Sequence, residues 1–128
     1  MSLEYTIAGI EQGSTYRKKF IIKNRNPETQ EVTLCDLTGF TGRMKVRAYE
    51  TPMKVALDLT TENQGILINL TEASINLYVP ASHTSMLAKK YHYHYDLELV
   101  KVYSNLPEPE VFKLIHGPFI LKLEETTW

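Results

Sequence analysis

Apolar and polar side chains alternate along residues 91–103, with the sequence YHYHYDLELVKVY, over a longer stretch than elsewhere in the chain. Successive side chains of a β-strand point to opposite faces, so the tyrosines and leucines share one face and the histidines and acidic residues share the other. From Val100 onward both faces are apolar, which indicates a strand end that is covered on both sides or contains a bulge. The pattern predicts a central strand with one face in the core.

Turn residues separate shorter stretches of alternation along the rest of the chain, as is typical of antiparallel β proteins. We predict strands at residues 3–10, 15–23, 32–34, 40–49, 55–60, 66–70, 75–79, 111–116 and 119–124. Thr51 and Pro52 are expected to interrupt the chain between two strands, because proline cannot donate a ladder hydrogen bond. Residues 62–65, with the sequence ENQG, are expected to form a hairpin connection.

Only residues 82–89 have a helical pattern, and we expect a crossover helix of one or two turns there. Ser82 or Thr84 is available as its cap, and Met86 and Leu87 are expected to anchor it. Many short strands and almost no helix predict an all-β fold. This fold would be an antiparallel sandwich, or a flattened barrel, of roughly 8 to 10 strands with one short crossover helix.

Length and charge narrow the range of partners. A chain of 128 residues is expected to form a single domain, residues 1–128, and its 14 basic and 15 acidic side chains nearly cancel, which disfavours a nucleic-acid partner. The single cysteine, Cys35, cannot pair within the chain, so we expect a reducing compartment and a small apolar role. Neither an export signal nor an apolar run long enough for a membrane helix is recognisable, so no membrane association is expected.

The polar face of the predicted central strand contains the only candidate metal ligands. His92, His94 and Asp96 would project from one face about 7 Å apart in succession, a spacing from which two imidazoles and a carboxylate can bind a divalent cation. Strand alternation alone produces the same row, and the sequence offers no evident fourth ligand. We therefore expect no bound metal, and a row that faces solvent or an interface.

No other chemistry is indicated. A nucleophile motif is missing from the sequence, and residues 39–42, GFTG, lack the lysine and the helix of a phosphate-binding loop, so neither a catalytic nor a cofactor site is expected. Tyr91, Tyr93 and Tyr95 could line a glycan or protein site, but their alternate spacing favours the core. The basic face of residues 15–23 is interpreted as solvated surface.

An ordered series of short phrases covers nearly the whole chain. It comprises IEQGSTY at 10–16, DLTGFTGRMKVR at 36–47, LDLT at 57–60, GI at 65–66, INL at 75–77, TSML at 84–87, YDLELV at 95–100, Gly117 and ETT at 125–127. In the order and spacing of these phrases the chain resembles a family of small virion-associated proteins of tailed bacteriophages. The resemblance implies an Ig-like β-sandwich that serves as a structural or adaptor module. Two departures are His92-x-His94 and a longer loop at residues 104–110.

These observations lead to a functional hypothesis. We expect a non-enzymatic component of a phage tail, neck or baseplate, made in the host cytoplasm, that binds other virion proteins and forms a homo-oligomer in the particle. A glycan-binding or capsid-decoration module is the alternative, and a metal-dependent enzyme is the third. Exposed aromatics on a concave sheet would favour glycan binding, whereas an apolar patch or an unpaired edge strand would favour assembly. We expect contacts at the residues before Gly13 and at loops 24–30 and 104–110.

Overall fold

A computed structural model describes residues 2–122 of the chain. Within this range there are eleven strands and one four-residue helix, so the predicted all-β class is confirmed. The strands are β1 (Leu3–Glu4), β2 (Ile7–Ile10), β3 (Tyr16–Ile21), β4 (Lys23–Arg25), β5 (Val32–Leu34), β6 (Phe40–Ala48), β7 (Thr51–Thr60), β8 (Ile66–Asn69), β9 (Ser74–Val79), β10 (Tyr93–Lys101) and β11 (Glu110–Leu121). The helix α1 (Ala81–Thr84) lies between β9 and β10.

The larger sheet is organised around β10, as the alternation of its sequence predicts. Its strand order is β1-β11-β10-β6-β7, and β2 joins β11 farther along the same edge as β1. β10 pairs antiparallel with β6 and β11 along its length, with a register shift against β11 between Leu97 and Glu98. Tyr93, Tyr95, Leu97 and Leu99 are all buried, which confirms the predicted core face.

The smaller sheet contains three antiparallel strands in the order β3-β9-β8. The β9 side chains of Ile75, Leu77 and Val79 are buried in the same hydrophobic cluster as the inner face of the larger sheet, so the two sheets enclose one core. β3 alternates between half-buried and exposed side chains, as predicted. The short strands β4 and β5 form a separate two-stranded hairpin.

The first strand differs from the prediction, because residues 3–10 form two strands that both run parallel to β11. Between them the chain passes close over Gly117, where a Cβ atom would collide with the carbonyl oxygen of Tyr5. The buried hydroxyl of Tyr95 donates to this same oxygen at 2.6 Å, and the Tyr5 N–H donates to the His116 carbonyl at 2.9 Å. These contacts interrupt the strand, and the expectation of purely antiparallel pairing is wrong at this edge.

Two predicted connections are also corrected. β7 begins at Thr51 and includes Pro52, which is tolerated because β7 is an edge strand with only β6 beside it. Residues 62–65 do not close a hairpin but lead from β7 in the larger sheet to β8 in the smaller one. The side-chain oxygen of Asn63 shapes this corner, since it accepts bonds from the N–H groups of Thr60 and Gly65 at 2.9 and 2.8 Å.

The predicted helical segment is shorter than expected, and neither Ser82 nor Thr84 caps it. Pro80 occupies the N-cap position without a side-chain hydrogen bond. Thr84 is instead buried, and its hydroxyl donates to the Ser14 carbonyl at 2.8 Å and accepts from the Gly13 N–H at 3.0 Å. The helix therefore fixes the turn between β2 and β3.

The two predicted anchors of the helical segment differ in burial. Leu87 is buried as expected, whereas Met86 is 80% exposed.

The last two predicted strands form one strand, β11. It runs without interruption through Gly117 and Pro118, because Gly117 faces Tyr5 and Pro118 falls between the pairings with β1 and β2. The predicted end of the last strand, residues 123–124, and the ETT phrase at 125–127 lie outside the described residues.

We expect Leu97→Asp to prevent folding, since it would place a carboxylate without a partner on the fully buried face of β10. The expected loss of stability exceeds about 4 kcal/mol. Glu98→Ala is the control, because the Glu98 side chain is 21% exposed and its ion pair with Arg43 contributes at most about 1 kcal/mol. Thermal melting followed by circular dichroism measures both. Equal melting temperatures for both variants and the parent would contradict the face assignment.

Candidate functional site

The candidate metal ligands do not converge. His92 precedes β10, and its Nδ1 lies 2.7 Å from a carboxylate oxygen of Glu50. The ring of His94 packs against Tyr49 with ring centroids 4.3 Å apart. Asp96 is exposed on the same sheet face. Within residues 2–122 no group of three or more histidine, cysteine or acidic side chains is placed to hold a metal ion.

The tyrosines of the central strand are used inside the fold. Tyr93 and Tyr95 are buried, and Tyr91 is half-buried against the same core, so the core interpretation is confirmed. The hydroxyl of Tyr93 accepts a bond from the Ala88 N–H at 2.8 Å, and that of Tyr95 donates to Tyr5. Burial raises the pKa of Tyr95 above its ordinary value. The side chains of Tyr93 and Tyr95 are therefore not available to an external ligand.

The outer face of the smaller sheet holds a cavity of about 690 Å³ between basic side chains. The guanidinium of Arg17 lies 4.7 Å from the ring centroid of Tyr78, and Lys19 pairs with Glu72 at 2.9 Å. Tyr78 is the one aromatic residue among the side chains that line this cavity. Since Arg17 lies over its ring, the face offers no free aromatic platform on which a sugar could stack.

A second cavity, of about 710 Å³, is predominantly apolar and opens between the first half of β11 and the β4–β5 hairpin. We name it the apolar groove. It is lined by Leu3, Glu4, Tyr5, Phe20, Ile21, Ile22, Lys23, Asn24, Cys35, Leu37, Phe40, Leu99, Phe112, Leu114 and Ile115. Its walls contain two edge-to-face aromatic pairs, Phe40 with Phe112 and Tyr5 with Phe20. Leu3 is 69% exposed and Phe112 is 42% exposed, so the groove presents apolar surface to solvent.

The backbone of β11 is unpaired beside this groove. On one edge β11 follows β10 from Glu110 onward. On the other edge β1 meets β11 at Ile115 and His116, and β2 meets it only from Phe119. Among the residues that the structure describes, no strand pairs with residues 110–114 along this second edge. An open strand edge next to an apolar groove is a template for an additional peptide strand.

Basic side chains surround the groove. The ammonium of Lys18 lies 4.9 and 5.5 Å from the ring centroids of Tyr5 and Phe20, and that of Lys101 lies 5.1 Å from the ring centroid of Phe40. Lys23 belongs to the lining itself. These lysines place positive charge at the margin of the groove, beside the carboxylates of Glu4 and Asp36.

The segments that we predicted from the sequence to contact partner proteins lie at the border of this groove. Leu3, Glu4 and Tyr5 precede Gly13, and Asn24 begins the predicted loop 24–30; all four of these residues line the groove. The exposed loop 104–110 leads directly into the open edge of β11. Sequence reasoning did not find the groove itself. The available signal was residues 111–115, VFKLI, which are apolar on both faces of a strand that follows an acidic loop.

In comparisons with known proteins, no family model matches this chain and no curated protein matches its sequence. Along residues 2–122 the structure contains no helix of sufficient length and hydrophobicity to cross a membrane.

We expect no tight binding of zinc, because His92 and His94 have different partners, Glu50 and Tyr49, that hold them apart from Asp96. The measurement is elemental analysis after incubation with zinc and exhaustive dialysis, with the double variant His92→Ala and His94→Ala as the control. Zinc retained at one equivalent by the parent and lost by the double variant would contradict this prediction.

The His92–Glu50 contact generates a pH prediction. The hydrogen bond from the His92 side chain lowers the pKa of Glu50 from its ordinary value of 4.5. A depressed folded-state pKa stabilises the fold above the unfolded-state value, and this stabilisation is lost as the pH falls through the folded pKa. We expect His92→Ala to raise the Glu50 pKa towards 4.5 in an NMR titration of the side-chain carboxyl. An unchanged pKa would show that the contact does not form in solution.

Proposed function

We propose that this protein is a non-enzymatic structural or adaptor subunit of a tailed-phage particle, in its tail, neck or baseplate, that binds neighbouring proteins. The observation that carries the proposal is the open edge of β11 beside the apolar groove. Solvent-exposed apolar surface next to unpaired backbone groups is costly for an isolated protein and is typical of an interface. The groove lies on an all-β framework whose core holds its walls in place.

The finer architecture belongs to the same proposal. We infer an Ig-like β-sandwich, supported by the two sheets that enclose one core and by the antiparallel pairing of most strands. The parallel strands β1 and β2 are an addition at one edge. Such a sandwich would present its loops and one strand edge as a rigid unit to its neighbours in the particle.

The placement in a phage particle is supported by the resemblance in sequence. The phrase YDLELV lies within β10, and most of the phrase DLTGFTGRMKVR lies within β6. These strands are neighbours at the centre of the larger sheet, so the similar phrases include residues that form the core. A location in the virion after synthesis in the host cytoplasm, homo-oligomerisation, and partners that are other virion proteins follow from this proposal.

Glycan binding and capsid decoration are the alternatives. A glycan site is expected to expose aromatic rings on a concave sheet face. The cavity on the smaller sheet has the single ring of Tyr78, which Arg17 covers, whereas the apolar groove combines aromatic walls with an open strand edge. The contrast favours a protein partner over a sugar.

Mass spectrometry of purified phage particles tests the proposed location. We expect peptides of this chain in gradient-purified particles, at a copy number that matches a symmetric ring or collar. A matched preparation from which particles have been removed by sedimentation is the control. Absence of the chain from particles that contain the other tail proteins would refute the proposal.

A loop variant tests whether the contact lies at this end of the molecule. Replacing residues 106–110 with a short Gly-Ser turn should leave the isolated protein folded, because residues 104–110 are all exposed, but should lower its incorporation into particles. Glu62→Ser, at the exposed corner between β7 and β8, is the control. Normal incorporation of the loop variant would exclude a contact there, and a collapse of its melting temperature would show that the loop supports the fold.

A further inference from the structure

We propose that the apolar groove of one copy binds residues 123–128 of a second copy, LEETTW, as an added strand along the open edge of β11. The inference rests on the proposed assembly function and names the partner that the groove accepts. It follows from the size of the groove, from the charge around it and from the position at which residue 122 leaves the fold.

The dimensions favour a single strand over a globular face. The open edge at residues 110–114 extends for five residues, or about 17 Å, which six residues of extended chain can cover. Fifteen residues line the groove, whereas a standard protein interface uses roughly 20–30 residues on each side. A strand would also satisfy the unpaired N–H and C=O groups of β11, which an apolar small molecule could not do.

The chemistry of residues 123–128 is complementary to the groove. The segment contains Leu123 and Trp128 as large apolar side chains, two threonines, which are strong strand formers, and two glutamates without any basic residue. Four lysines lie around the groove and its open edge, Lys18, Lys23, Lys101 and Lys113, against three carboxylates, Glu4, Asp36 and Glu110. The acidic segment therefore meets a small excess of positive charge.

The segment cannot reach the groove of its own chain. The N–H of Lys122 donates to the Ile10 carbonyl at 2.7 Å, at the end of β11 opposite to residues 110–114. The distance back along the strand to residue 110 is about 40 Å, at about 3.3 Å per residue. Six fully extended residues span at most about 20–22 Å. The occupant must therefore come from another molecule.

This contact is heterologous, because each copy gives residues 123–128 to one neighbour and accepts the same segment from another. Such a contact closes into a ring if the rotation between copies divides a full turn, and otherwise extends as a filament.

The first experiment uses the single tryptophan of the chain, Trp128, which lies within the proposed strand. We expect the full chain to self-associate in analytical ultracentrifugation, with its tryptophan emission moving to shorter wavelengths as the protein concentration rises. A chain that ends at residue 122 should remain monomeric at the same concentrations. Association of the shortened chain to the same extent, or a full chain that is monomeric at every concentration, would overturn the inference.

The second experiment tests the groove with two matched substitutions on β11. Phe112→Glu places a negative charge in the groove, where it would repel the glutamates of the segment, and should weaken association at least about tenfold. Ile120→Glu is the control, because Ile120 is 48% exposed against 42% for Phe112 but lies outside the groove. Circular dichroism establishes that both variants fold. Equal weakening by both, or by neither, would place the contact elsewhere.

A peptide binding assay identifies the occupant directly. The synthetic peptide LKLEETTW, residues 121–128, should bind the chain that ends at residue 122, and its tryptophan is the probe because the shortened chain has none. A scrambled peptide of the same composition is the control. Equal anisotropy changes for the two peptides would reject a specific strand contact.

These outcomes separate the inference from the proposed function. Particles that contain the protein and incorporate the chain ending at residue 122 normally would overturn the strand exchange alone. Self-association through residues 123–128 in a protein that is absent from particles would overturn the proposed location alone.

Discussion

The hydrogen bond from the Tyr95 hydroxyl to the Tyr5 carbonyl determines how the N-terminal strands join the larger sheet. It can form only because Gly117, directly opposite Tyr95 on β11, has no side chain between the two groups. Loss of this bond would leave a buried hydroxyl and a carbonyl without partners, at a cost of about 1–3 kcal/mol for each group. The bond also fixes where β1 stops following β11, at the end of β1 that points away from residues 110–114.

The apolar groove lies beyond the other end of β1. Among the described residues β1 pairs with only Ile115 and His116 of β11, and the chain after Tyr5 continues along the strand towards Leu121. The corner between the sheets beside Phe112 is therefore left without a strand, and the aromatic side chains that would otherwise be core face solvent. The groove and the interior are continuous, because Leu37, Leu99 and Ile115 belong both to the groove lining and to the buried core.

The sequence predicted those features that local alternation encodes. The faces of β10 and β6 follow directly from a period of two, since burial on one face selects apolar residues at every second position. The parallel pairing of β1 depends instead on the contact of Tyr5 with Gly117, 112 positions away, which no local pattern contains. The same limit applies to the candidate metal ligands: alternation placed His92 and His94 on one face, but their partners Glu50 and Tyr49 come from the turn between two other strands. For the groove, residues 111–115 signal a strand that is apolar on both faces, but whether other strands cover that corner depends on contacts between distant parts of the chain.

The two edges of the larger sheet are not equivalent, and Pro52 is the reason. This proline lies in β7, at the edge opposite to β1 and β11, and contributes no N–H group to any ladder. A strand that approached that edge would meet a missing donor, whereas the edge at residues 110–114 has none missing. A strand added at β7 would therefore lack one ladder hydrogen bond that a strand added at residues 110–114 can form, so Pro52 disfavours edge-to-edge pairing at β7.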